Sequence, residues 1–314
     1  MKRETISYLI PTYNAEGTID RVIKSIIGQS YKTDYEILIF NDGSTDKTKE
    51  KILSMQNDFR MIRLINQTRN LGPSHGRNVL IKEARGNLIV FLDSDMILDK
   101  DWLREIMKNQ RSDMAGYTGI SEPENTENIF CRLDQRLLPK NKQIFSIDNP
   151  FINYVNYLIP KNIVEDIGEF NEMFKTPGGE DTEWFIRAFK KGHKFLFIPT
   201  AKVVHAYKPP SLFKFLKKRI AYAQAAAIPF MHGDNKNMTN YLLRTITVLC
   251  GLILALFYPL QILLLLLILF LFLYYRSLMV TKDFYLALVH VLGTFAMQLG
   301  IIKTVILYLT LGRI

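Results

Sequence analysis

The sequence predicts an α/β fold, a mostly parallel sheet sandwiched by helices, followed by C-terminal transmembrane helices. Three observations carry this. Over the first hundred residues, short apolar runs alternate with stretches of helical periodicity. Those runs lead into polar clusters, as strands do where an open α/β sheet binds its ligand. Finally, no charged residue occurs from Thr245 to Tyr275, and from Phe284 to Leu311 the only lysine or arginine is Lys303. About 20 apolar residues suffice to cross a bilayer, so both stretches qualify. The first contains Pro259 and Gln261, and reads either as one kinked helix or as two short ones.

Each element follows from its own pattern. Ser7-Tyr8-Leu9-Ile10 reads as the first strand, and Ile19, Val22, Ile23, Ile26 and Ile27 share a helical face. Glu36 to Phe40 is a second strand, followed by a helix that Thr45 or Asp46 can cap. Met61 to Ile65 supplies a third strand, Ser74 to Ala84 a helix, and Leu88 to Leu92 a fourth strand. Trp102, Leu103, Ile106 and Met107 mark a further amphipathic helix. Residues 121–150 are polar and read as an irregular insert. The resulting division is 1–208 for a catalytic domain, 209–240 for a basic amphipathic interfacial segment, and 241–314 for two or three transmembrane helices.

The 314 residues carry 40 Lys+Arg against 30 Asp+Glu, a formal charge of +10. Zinc-ligand spacing, a basic zipper and an aromatic RNA-binding signature are all missing, so the charge points to an anionic membrane face rather than to nucleic acid. The segment Ser211 to Tyr222 fits that face, with Leu212, Phe213, Leu216, Ile220 and Ala223 on one side and lysines on much of the rest. Cys131 lies in the polar part and Cys250 in an apolar stretch, which argues against a disulfide between them. No apolar leader follows Met1. The expected location is the cell membrane, multi-pass, with the catalytic domain on the cytoplasmic face.

The polar clusters carry the chemistry. Pro11-Thr12-Tyr13-Asn14 follows the first strand and Asn41-Asp42-Gly43-Ser44-Thr45-Asp46 the second. Gly76-Arg77-Asn78 precedes the fourth, which ends at Asp93-Ser94-Asp95. Asp-Ser-Asp alone is also ordinary turn chemistry; several such clusters on one sheet edge line a crevice. There Asp42 can accept hydrogen bonds from a base or ribose. Asp93 and Asp95 can reach Mg²⁺ or Mn²⁺, and Arg77 can offer a forked donor to phosphate. A second constellation, Gly178-Gly179-Glu180-Asp181, opens a helix with acids in its first turn. Dipole stabilisation explains acids there, and so does a catalytic base.

Together these motifs resemble family 2 of the glycosyltransferases, inverting enzymes with a nucleotide-diphospho-sugar transferase fold of GT-A type. The resemblance covers roughly Thr5 to Tyr207. It implies that Pro11, Thr12, Tyr13, Asn14, Asn41 and Asp42 form the nucleoside side of a donor site, with Arg77, Asp93 and Ser94 toward ribose and diphosphate. It implies a divalent ion held by Asp95, Asp93 and His205, and a base at Asp181, with Glu180 the second choice. Met96 departs from the pattern, since many members carry an acid at that place. Arg187 has a simpler role open to it, an ion pair with Glu183 one turn earlier. The expected reaction moves a sugar from a nucleotide-diphosphate sugar to a hydroxyl of a lipid-linked or polysaccharide acceptor, with membrane lipids as partners. A polyprenyl-phosphate acceptor, a processive synthase and a nucleotidyltransferase are the alternatives. The last wants a basic phosphate loop after the first strand, where Thr12-Tyr13-Asn14-Ala15-Glu16-Gly17 offers none.

Overall fold

The computed structural model describes residues 4–136, 139, 141–146, 156–174, 177–206, 211–217, 219–220, 259–282 and 284–311. They divide into two units, Met1–Asn125 with Leu138–Lys208, and Thr126–Leu137 with Pro209–Ile314.

The first unit opens with β1 (Thr5–Thr12), α1 (Ile19–Ile27), β2 (Asp34–Asp42), α2 (Thr48–Asp58), β3 (Ile62–Gln67), α3 (Pro73–Glu83) and β4 (Leu88–Phe91). It continues through β5 (Met96–Leu98), α4 (Trp102–Lys108) and β6 (Gly116–Pro123). After α5 (Ile129–Arg136), which belongs to the second unit, come β7 (Gln143–Phe145), β8 (Tyr157–Pro160), α6 (Lys161–Ile167), α7 (Glu180–Lys190) and β9 (Phe195–His205). The strands expected from apolar runs are all present. The stretch expected to be irregular instead holds the end of β6, α5 and β7.

These strands form one sheet in the order β3-β2-β1-β4-β8-β6-β9-β5, with β7 on β9. The pairs β1/β2, β1/β4, β2/β3 and β6/β9 are parallel. The pairs β4/β8, β6/β8, β5/β9 and β7/β9 are antiparallel. The sheet is therefore mixed, which corrects the expectation of a mostly parallel one. Apolar runs report burial, and burial is the same for a strand running either way.

Alternate residues of each strand face opposite sides. Ile6, Tyr8, Ile10, Ile37, Ile39 and Val90 pack with α1, α2 and α4 in one core, where Trp102 is fully buried. Leu9, Leu38, Phe40, Ile89 and Phe91 pack with α3, α6 and α7 in the other, around Trp184. The chain leaves β1 toward β2 and β3, and then returns to place β4 on the other side of β1. This reversal opens a crevice at the carboxyl ends of β1 and β4, the usual ligand position in open α/β sheets.

The second unit holds α5, the helical residues 212–217, α8 (Pro259–Thr281) and α9 (Phe284–Leu311). Phe130, Leu133, Phe215, Leu286 and Val289 make its core. Phe215 stacks on Phe130 at 4.8 Å and fits over Gly293, where a Cβ would approach its ring to 3.1 Å. Ser277 Oγ lies 2.8 Å from His290 Nδ1 and donates to Ala287 O at 3.3 Å, fastening α8 to α9.

Among the described residues no helix is long and apolar enough to cross a membrane. The expected C-terminal transmembrane helices are corrected accordingly. Along α9, polar His290 and Thr294 are bonded within the helix pair. Residues 245–258 of the first apolar stretch, and the interfacial segment beyond 220, lie outside the described residues.

Candidate active site

The crevice is built from two loops tied to each other. Asn14, at a φ of 51°, donates its backbone N–H to Ser44 Oγ at 2.9 Å, and its Oδ1 accepts Thr45 N–H at 2.8 Å. Ala15 N–H reaches Thr48 Oγ1, Glu16 N–H reaches Asp46 Oδ2, and Lys47 N–H reaches Glu16 Oε2. Asn14 thus spends its side chain on the neighbouring loop. Tyr13 is left 48% exposed at the crevice mouth. Pro11 and Thr12 end β1 opposite Phe40 and Asn41. Thr12 is buried and bonds Ile10 O.

Asp42 ends β2, and both its oxygens accept backbone N–H groups, from Leu71 and Gly72, at 2.8 Å each. It holds the loop that leads into Pro73, the first residue of α3. Asn41 Nδ2 donates to Asn66 Oδ1 at 2.7 Å. Gly43, at a φ of 71°, lets this loop close, because a Cβ there would come within 2.8 Å of the Arg69 backbone.

Beyond β4 the carboxylates separate. Asp93 Oδ1 accepts from Arg77 Nη2 at 3.2 Å. Ser94 O accepts Thr18 Oγ1 at 2.8 Å. Asp95 Oδ2 lies 3.1 Å from His205 Nε2, because β5 pairs with the last residues of β9 and Ala206 N–H bonds Asp95 O at 2.8 Å. Among the described residues no three His, Cys, Asp or Glu side chains converge as a metal cage. Asp93 turns to Arg77, so Asp95 and His205 are the pair brought together. An oxygen and an imidazole donor suit Mn²⁺, and divalent ions in nucleotide sites commonly take one or two carboxylates and complete their shell with phosphate oxygens and water. The residues present fit such an ion.

Arg77 is the hub. Its Nη1 donates to Glu180 Oε1 at 2.8 Å while Nη2 serves Asp93, and its guanidinium carbon lies 5.3 Å from the Phe170 ring centre. Burial disfavours its charge, but Glu180, Asp93 and Asp181 more than offset this and raise its pKa. Both ends of the fork expected to face phosphate are thus engaged with carboxylates. Glu180 is buried, and its second oxygen accepts Gly178 N–H at 2.8 Å.

Asp181, by contrast, is only partly covered, and among the described residues accepts one hydrogen bond, from Thr182 N–H at 2.8 Å. Desolvation first, then repulsion from Glu180, pushes its carboxyl up to about 8, against the pull of Arg77. Burial likewise raises Asp93, where Asp95 and Glu180 oppose the attraction of Arg77. Tyr157, Phe91 and Phe170 line a small pocket with Asp181 and Arg77. Burial and the nearby Asp181 raise the Tyr157 phenol. Arg187 pairs with Glu183 at 2.8 Å, the local role its spacing suggested. Phe170, Glu172 and Tyr157 escaped the sequence reading, because no motif marks them.

The fold is that of the nucleotide-sugar transferases of GT-A type. The model of glycosyl transferase family 2 matches residues 7–168, and that of glycosyl transferase family group 2 matches residues 88–302. The chain belongs to glycosyl transferase family 2, and is a glycosyltransferase. It is 30% identical over 183 residues to the GalNAc(5)-diNAcBac-PP-undecaprenol beta-1,3-glucosyltransferase of Campylobacter jejuni, covering 57% of this chain and 58% of that protein. It is 33% identical over 211 residues to the poly(ribitol-phosphate) beta-N-acetylglucosaminyltransferase TarS of Staphylococcus aureus, covering 64% of this chain and 35% of that one. The match therefore spans less than two thirds of either relative's length. Mannosyltransferase PcManGT from Pyrobaculum calidifontis, solved with GDP-Man and Mn²⁺, shares the fold at a TM-score of 0.65 and 17% identity, covering 99% of this chain and 88% of that one.

Proposed function

We propose that this chain is an inverting, metal-dependent hexosyltransferase that moves a sugar from a nucleotide-diphosphate donor to a hydroxyl of a lipid-linked or polysaccharide acceptor. One observation carries the reading. Asp181 is a lightly bonded carboxyl at the start of α7, joined through Glu180 and Arg77 to Asp93 of the Asp-Ser-Asp segment.

The roles follow from the geometry. The exposed ring of Tyr13 offers a face to the base. Asp42 fixes the loop that closes the nucleoside side. Asp95 and His205 would hold the divalent ion. When bound, that ion offsets charge growing on the diphosphate leaving group. Asp181 takes the proton of the acceptor hydroxyl as its oxygen bonds to the anomeric carbon. The bond from that carbon to the diphosphate breaks with its electron pair going to the diphosphate oxygen. A single displacement of this kind inverts the anomeric centre. Glu180 is held by Arg77 and Gly178, and so leaves the base role to Asp181.

The undecaprenol-linked acceptor in the name of the Campylobacter relative and the poly(ribitol-phosphate) in that of TarS support a lipid-linked or polymeric acceptor. Leu212 and Phe213, exposed beside Lys214 and Lys217, support work at an anionic lipid surface. The deciding experiment offers a panel of sugar nucleotides with membrane extract as acceptor, and follows nucleoside diphosphate. Its release from one donor is expected. Pyrophosphate release from a nucleoside triphosphate would favour a nucleotidyltransferase instead.

A further inference from the structure

We propose that Asn78 is a positioning residue for the transfer step, acting through Phe170 to hold the start of α7 in place. The proposal rests on the transferase reading above. Asn78 is buried on α3, and its amide grips Phe170 and Glu172 of a distant segment. Its Oδ1 accepts Phe170 N–H at 2.7 Å, while its Nδ2 donates to Phe170 O at 2.9 Å and to Glu172 Oε1 at 2.9 Å. One turn earlier on α3, Ser74 Oγ donates to Phe174 O at 3.3 Å, and His75 Nδ1 lies 3.1 Å from Glu172 Oε2.

The other side of the same segment belongs to α7. Trp184 Nε1 donates to Gly168 O at 2.7 Å, and Arg187 donates to Ile167 O and Glu169 O at 2.6 Å each. Phe170 stacks on Trp184 at 5.2 Å with the ring planes 9° apart. Trp184 lies one turn beyond Asp181. Residues 167–174 therefore form a splint. Asn78 and Ser74 fix it to α3, and Trp184 and Arg187 fix it to α7. Arg77, the neighbour of Asn78, meets Phe170 and Glu180 at once. A base must sit within hydrogen-bond reach of the acceptor hydroxyl, and small displacements at that point are costly in rate. The clamp sets the placement of Asp181 without touching substrate.

The test exchanges charge across the clamp. Asn78→Asp preserves size and the acceptor for Phe170 N–H, but turns an anion toward Glu172. Glu172→Gln in the same chain restores a donor opposite that anion. With the donor identified as above, N78D is expected to lower kcat about tenfold, with KM for the sugar nucleotide changed less than about twofold. The N78D/E172Q chain is expected to recover at least about threefold of that loss. Wild-type kcat in N78D, a raised KM alone, or a loss that the double variant fails to recover would overturn the proposal. If N78D does not fold, judged by thermal unfolding, Glu172→Ala carries the test. It is expected to lower kcat about threefold at unchanged KM, and an unchanged kcat counts against the clamp. A wild-type chain that turns over no sugar nucleotide fails the transferase reading itself, a result distinct from all of these.

Discussion

Asp181 holds its proton more tightly than a carboxyl in water, because burial and the Glu180 charge both oppose its ionisation. Two consequences follow for one residue. The base must be ionised to work, so kcat/KM is expected to rise with pH, reach half its maximum near 8 and level off above it, as a pH–rate profile would record. In stability the sign is opposite. The unfolded chain releases this proton near 3.8 and the folded chain near 8, so between those values the folded state binds the extra proton and loses stability as pH rises. Asp181→Asn is therefore expected to unfold at a higher temperature than wild type above about pH 8, the two converging below about pH 4. The same variant should lose transfer by about 10²–10⁴-fold and keep donor binding, which calorimetry with the sugar nucleotide would read. At this scale the sequence was legible where a residue acts for itself. Asp95 and Asp181 stood out as acids at a strand end and a helix start, whereas His205 entered only through the family resemblance; the structure brings Asp95 and His205 within 3.1 Å. Asn14 and Asp42 were less so, because their side chains serve backbone groups some 30 residues away.

Among the elements, α3 carries the most. Its apolar pattern announced a helix, but not that Arg77 would be buried between acids from two other segments. Removing one partner of a buried ion pair strands the others in low dielectric. Arg77→Met is expected to cost about 3–5 kcal/mol in denaturant unfolding, since Glu180 would then lie buried facing no cation. In β6 the irregularity between Gly119 and Ile120 brings the strand onto β9 so closely that a Cβ on residue 119 would overlap the carbonyl oxygen of Ala201. Gly119→Ala is expected to lower stability by about 2 kcal/mol or more, or to prevent folding, with circular dichroism as the readout. Strand direction stayed hidden in the sequence, because β8 and β5 are short apolar runs whose pairing is chosen by tertiary contacts.

Across the whole chain, the residues proposed for donor, metal and base come from segments more than a hundred residues apart in sequence. The Asp95–His205 pair spans 110 positions and the Arg77–Glu180 pair 103. If a divalent ion completes the Asp95–His205 pair, dialysis against a chelator is expected to abolish nucleoside diphosphate release and Mn²⁺ to restore it, while Asp95→Asn raises the metal concentration needed for half-activity. The described part of the first apolar stretch, in α8, and the second stretch, α9, were legible as helices. Their length and lack of charge directed the reading toward membrane spans, because hydropathy does not distinguish a helix packed on a partner from one surrounded by lipid.

The Arg77 hub also limits how this enzyme can be recombined with its relatives. By sequence Arg77 belongs to the nucleoside-binding half, yet its acids come from the middle and the far end of the catalytic unit. A chimera crossed over between β5 and α7 inherits Arg77 and Asp93 from one parent and Glu180 from the other. Such hybrids should survive only where both parents carry the same three charges, so swapping donor specificity by exchanging amino-terminal halves calls for transplanting the acidic partners along with it.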